Sequence, residues 1–130
     1  MKFEFRKLLT ATIFCWIGCI QIASAQTVIA PDPPYHQKLM RLSEVLGSVH
    51  FLRNLCGEAG TAWRDSMSDL LVSEKPTVER KAQLTASFNH GYRSFNGVYV
   101  RCTPSAIDAL GRYMKEGELL SEDISTRYGN

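Results

Sequence analysis

The sequence predicts an all-α protein, a small four-helix bundle stapled by one disulfide. Three observations lead there. Apolar residues recur at three- and four-residue spacing in four separate stretches. Proline, glycine and capping residues fall between those stretches. Two cysteines, Cys56 and Cys102, sit at the end of the first stretch and just before the fourth.

The first helix is expected from about Tyr35 to Cys56. Leu39, Leu42, Val45, Leu46, Val49 and Leu52 follow one amphipathic stripe, and Gly57 supplies the stop. Met40, Phe51 and Leu55 fall on the opposite side at 100° per residue. A helix apolar on two sides is either central in its bundle or in contact with a partner. The second helix is short, roughly Thr61 to Val72, with Trp63, Met67, Leu70 and Leu71 on its apolar side. Pro76 blocks simple continuation.

The third helix starts near Pro76–Thr77. Thr85, Phe88, Tyr92, Phe95 and Tyr99 stack at helical spacing, a stripe that reads as core. It crosses Asn96-Gly97, a dipeptide that also favours a hairpin turn; the continuous phase of the stripe favours helix. The fourth helix is announced by Thr103 as cap and Pro104 in the first turn. Ile107, Leu110, Met114, Gly117, Leu120, Ile124 and Tyr128 form its predicted apolar face, while the acids of "EGELLSED" read as a solvated one.

The N-terminus carries an address. Lys2, Arg6 and Lys7 precede the apolar run Leu8–Ile22, and Ala23-Ser24-Ala25 offers a small-x-small cleavage site before Gln26. Residues 1–25 thus read as a secretory signal peptide. A retained anchor and lipidation at Cys19 are the competing readings. The run is shorter than the ~20 residues of a spanning helix, and the "WIGC" site lacks the expected leucine at Trp16. Residues 26–34 form a proline-rich lead-in, and 35–130 a single helical domain. The predicted location is the periplasm, with no stable membrane anchor in the mature form.

Cleavage changes the charge. Lys2, Arg6, Lys7 and Glu4 leave with the signal, so 12 basic and 12 acidic residues remain and the net charge is zero. A globally basic surface for nucleic acid disappears with it. Cys15 and Cys19 leave too. Two cysteines in an exported chain point to a disulfide. Closing a loop of about 47 residues contributes on the order of 4 kcal/mol in the chain-entropy treatment. Zinc spacing is lacking, as is the Cys-x-x-Cys of redox dithiols, so neither a metal nor another cofactor is expected.

Catalytic signatures are equally missing: no serine-hydrolase elbow, phosphate loop, dinucleotide fingerprint or zinc-protease motif occurs. His36 lies in the lead-in, and His50 and His90 fall off the apolar faces, which predicts solvated positions for both. The arginines carry more information. Arg53 lies in the apolar sector of helix one, Arg64 follows Trp63, and Arg93 and Arg101 flank the aromatic stripe. Ordinary surface pairing accounts for them. The functional reading is a protein interface built on Met40, Phe51, Leu55, Trp63, Arg64 and Arg93, since Trp, Tyr and Arg are enriched at hot spots.

The stretches "LCGEAGTAWRDSMSDLL", "FNHGYRSF…YVRCTPSA" and "ISTRYG" resemble a family of small exported alphaproteobacterial proteins catalogued as a domain of unknown function. The resemblance covers about residues 35–129. It implies a periplasmic helical protein with one disulfide and no known catalytic residues. It further implies a role in envelope upkeep as regulatory partner of a peptidoglycan amidase. The expected function is therefore a non-enzymatic accessory protein that binds and regulates an envelope partner. The alternative is a small ligand-binding module or enzyme using the aromatic–arginine surface.

Overall fold

A computed structural model describes residues 31–129. The expected signal peptide, its cleavage before Gln26 and Cys19 lie outside the described residues. Four helices make up the fold: α1 (His36–Leu55), α2 (Ala62–Glu74), α3 (Val78–Asn96) and α4 (Pro104–Tyr128). Among the described residues no strand occurs, and no helix is long and apolar enough to cross a membrane. The all-α class and the four-helix bundle agree with the sequence.

Helix α1 is the axis of the bundle. It packs against α3, α4 and α2, whereas the backbones of those three approach one another little. Its residues are buried on nearly every side, including Leu39, Val45, Val49 and Leu52. This answers the two-sided pattern of helix one: the second apolar side faces α3. Helix α1 stops at Cys56, whose amide donates to the carbonyls of Leu52 and Arg53. The next residue, Gly57, has φ +97°, a left-handed backbone that favours glycine.

The other termini follow their sequence signals, with one exception. Thr77 caps α3 by accepting from the Arg80 amide, and Thr103 caps α4 by accepting from the Ala106 amide. Thr61 sits at the N-cap of α2, but its hydroxyl donates to Asp65 rather than capping the backbone. Lys75 ends α2 at φ 42°, its amide bonded to the Leu71 carbonyl.

Helix α3 ends at Asn96, before the expected point. Gly97 caps it, and the Val98 and Tyr99 amides turn back onto the Phe95 carbonyl. The dipeptide is therefore a helix stop, neither a continuing helix nor a hairpin. The aromatic stripe survives because this turn keeps Tyr99 over Phe95, with ring centroids 6.1 Å apart and nearly parallel. Phe88 is buried, and Tyr92, Phe95 and Tyr99 pack against the core. Thr85 is exposed and does not belong to it.

The disulfide joins Cys56 to Cys102 with Cα atoms 4.9 Å apart. It ties the end of α1 to the turn before α4. Helix α4 faces the core through Ala106 and Ala109 at this end, and Ile107 is 56% exposed. The expected face is therefore rotated in its first turn, because small alanines let α4 approach α1 closely near the bridge. The acids of α4 are not merely solvated. Arg41 binds Glu116 through two hydrogen bonds of 2.6 and 2.9 Å, and Lys38 pairs with Asp123. These pairs lock α4 onto α1, and the Glu116 bonds, chiefly, raise the Arg41 pKa above its ordinary range.

The α1–α3 seam is closer than the apolar pattern implies. A methyl group built on Gly47 would overlap the Phe88 carbonyl, and one on Gly91 would overlap the Glu44 carbonyl. Ser43 and Ser48, fully buried on α1, turn their hydroxyls back to the Leu39 and Glu44 carbonyls. Two short polar side chains thereby satisfy themselves on their own helix and leave the approach free.

Candidate functional site

Six residues were expected to form one partner surface. The structure divides them. Phe51 is 7% exposed and meets Tyr92 edge-on at 5.3 Å. Met40 packs on the upper core, with its sulfur 3.5 Å from the Ser87 hydroxyl, and Leu55 packs on the Phe51 cluster. Met40 and Phe51 are turned toward α3, and Leu55 packs in the cluster that α1 shares with α3 and α4. Placing them on a surface fails because α1 is enclosed, so its second apolar side meets the protein's own α3. Arg64 and Arg93 are exposed and form no ion pair among the described residues. Trp63 alone of the six joins the feature described next.

That feature is a groove along α1 between α2 and α4. Its larger section has a volume of about 640 Å³, within the range of ligand and peptide sites. Leu42, Val45, Leu46 and Val49 make its floor. Trp63 from α2 and Met114, Gly117 and Ser121 from α4 make its walls. A smaller section of about 310 Å³ continues it past Leu42 and Ser121 to Tyr35, Leu70 and Glu74. The groove exists because α2 and α4 each pack on α1 without closing on one another. Gly111 and Gly117 on α4 keep the wall low; at Gly117 a methyl would already lie 3.1 Å from Val45.

An ion pair lies near each end, Arg53 with Glu58 and Glu74 with Arg80. At the end nearer the disulfide, the Arg53 guanidinium lies 5.6 Å over the Trp63 ring. It donates to the Met114 sulfur at 3.0 Å and pairs with the exposed Glu58. Its Nε is buried, as is Nη2 of Arg80, and neither has a hydrogen-bond partner among the described residues. A buried donor left without an acceptor costs free energy. At the far end Glu74 accompanies Tyr35, whose pKa is raised by burial first and by the carboxylate of Glu74 next. Tyr35 also rests on Tyr128, at 4.9 Å.

The histidines depart from expectation. His36 is buried at the start of α1, with Nε2 2.9 Å from the Gln83 side-chain oxygen and Nδ1 receiving from Arg80 at 3.5 Å. His50 is 5% exposed, between the rings of Phe88 and Tyr92, with Asn54 3.2 Å from Nδ1. Burial lowers its pKa, and the charge of Arg64 lowers it further against the weaker pull of Asp65. His36 opens α1 rather than lying in the lead-in; the solvated reading fails for His50 because α3 covers that side of α1, and it holds for His90, which is exposed. Among the described residues no group of three or more His, Cys, Asp or Glu is placed to hold a metal ion.

Residues 34–128 match the family described as protein of unknown function (DUF2385). The chain belongs to this family. The DUF2385 match spans all four helices, the disulfide and every residue of the groove's larger section, so the site is part of the family domain. No curated protein and no solved structure matches the chain.

The groove was hidden in plain residues. Its floor is the core stripe of helix one, read correctly as apolar but not as reachable. A usable signal was present in α4, where Gly111, Gly117 and Ser121 put small residues among Tyr113, Met114, Leu119 and Leu120. Small residues on one side of a long helix leave room for something else.

Proposed function

We propose that this is an exported, non-catalytic accessory protein that binds and regulates a protein of the cell envelope. The resemblance found in the sequence makes a peptidoglycan amidase the first candidate. The observation that carries the reading is the open apolar groove over α1, with Trp63 and Arg53 at one end. Aromatic and arginine side chains around a desolvated pocket are the usual anchors of protein contacts. The periplasmic address comes from the signal-peptide pattern of residues 1–25.

The test is co-purification from the envelope of the native host. Wild type should retain one defined envelope protein, and Trp63→Ala should lose most of it while keeping its helical circular dichroism. Arg64→Glu, beside Trp63 on the exposed surface, should weaken capture less. Retention of a small molecule by wild type in native mass spectrometry, with no protein captured, would replace this reading by ligand binding.

A further inference from the structure

We propose that Asn54 makes the turn between α1 and α2 a pH-responsive latch, closed while His50 is neutral and released when His50 takes up a proton. The latch does not depend on any partner in the groove. It is built from two hydrogen bonds that fix which way the Asn54 amide faces, from the enclosure of the His50 ring, and from a turn with few other ties.

The partners of Asn54 set its orientation. The Gly60 backbone amide donates to Oδ1 at 2.8 Å. A backbone N–H needs an oxygen there, so Nδ2 is turned the other way, where it lies 3.2 Å from Nδ1 of His50. The amide nitrogen only donates. Nδ1 must therefore accept, which puts the ring proton on Nε2 and leaves His50 neutral. Protonation reverses this end. Nδ1 then carries a hydrogen and faces those of Nδ2, donor against donor. The amide offers Oδ1 to the imidazolium only by turning over, which points Nδ2 at the Gly60 N–H instead. A proton on His50 and the bond to Gly60 thus exclude each other, and by reciprocity whatever weakens one favours the other.

The surroundings of His50 leave Asn54 as the group that must respond. The ring is buried against Phe88 and Tyr92 of α3, at 6.0 and 5.8 Å between centroids, and Tyr92 is the titratable side chain that α3 lays on it. From α2, Arg64 opposes a positive charge and Asp65 favours it less strongly; among the described residues no charged group of α3 or α4 acts on the ring. The turn itself is lightly held. The Glu58 amide bonds to the Arg53 carbonyl, and the Glu58 side chain pairs with Arg53. Beyond Glu58, the Gly60 bond to Asn54 ties the chain to α1 before α2 begins at Ala62. Residues 57–61 are exposed. Release should therefore stay local, freeing the start of α2 while the bundle remains folded.

Nuclear magnetic resonance of the 15N-labelled protein purified from its native host, titrated from pH 7.5 to 5, tests this. In wild type the Gly60 amide and the Asn54 side-chain amide should shift with the midpoint of the His50 ring, while the amides of α3 and α4 keep their dispersion. In Asn54→Asp one carboxylate oxygen can accept from Gly60 and the other from the imidazolium. The proton affinity of His50 should then rise about tenfold or more, and Gly60 should no longer respond to pH. In Asn54→Ala the Gly60 amide should hold its acid-form position across the whole range. A Gly60 amide that ignores the His50 titration would overturn the latch. So would a Gly60 response retained in Asn54→Asp, or a His50 that takes up no proton by pH 5. Loss of all amide dispersion at the His50 midpoint would overturn local release in favour of global acid unfolding.

Discussion

Helix α1 meets its neighbours in two different ways. Toward α3 the contact is sealed: glycine faces backbone at Gly47 and Gly91, Phe51 lies under Tyr92, and Ser43 and Ser48 bond to their own helix. Toward α2 and α4 the same helix is roofed by partial contacts, and an apolar groove remains. The two sides look alike in the sequence, since both are lines of apolar and small residues. They differ in what sits opposite. Small residues paired across a seam bring backbones together. Small residues on one wall only, as at Gly111 on α4, leave a space. The first arrangement contributes stability and the second leaves apolar surface open.

The comparison breaks most sharply at the seam. Gly47→Val should prevent folding or cost well over 3 kcal/mol, because the clash is with the α3 backbone and helix packing cannot absorb it. Denaturant unfolding or loss of soluble protein would show it. Near-normal stability of Gly47→Val would mean the seam is looser than described.

Phe51 and Trp63 divide the two sides next. Phe51→Ala should cost about 3–5 kcal/mol as a buried aromatic truncated to a cavity. Trp63→Ala, half-buried on the groove wall, should cost no more than about 2 kcal/mol while removing binding. Chemical denaturation of both variants decides the matter. If the two costs were equal, Trp63 would belong to the core rather than to a binding wall.

A smaller effect, of opposite sign, is expected on the open side. Gly111 lies within α4, and a methyl group there meets nothing within 4 Å. Gly111→Ala should therefore stabilise the fold by about 0.5–1 kcal/mol through helix propensity alone. A rise in thermal midpoint checks it, and a fall would show that α4 moves against α2 in solution.

The finest discrimination is by pH. His50 is buried and its folded pKa lies below the ordinary 6.5. The unfolded chain takes up a proton near that ordinary value, and the folded one resists it. Stability should thus fall as pH drops through 6.5 and level off below the folded pKa. His50→Gln should flatten this part of the profile, read as the difference between the two unfolding curves from pH 7.5 to 5. Superimposable slopes would show that His50 is not held neutral.

Helix positions, the start of α3 near Thr77, the capping role of Thr103, the stop at Gly57 and the Cys56–Cys102 pairing were all legible in the residues. Each depends on neighbours within a few positions or, for the cysteines, on a count of two. The end of α3 at Asn96 was not legible, because a helix and a turn at Asn96-Gly97 can place Tyr99 over Phe95 equally well. The side of α1 that Met40, Phe51 and Leu55 face was open for another reason. Periodicity states that a helix has two apolar sides, but it carries no record of which neighbour covers each. The burial of His36 and His50 follows from the same enclosure, as does the turning of Phe51 from a surface to a seam. The groove was the least readable feature of all. It is a distance between α2 and α4, two elements that hardly touch, and that distance is set by how each packs on α1 rather than by anything local to either chain segment.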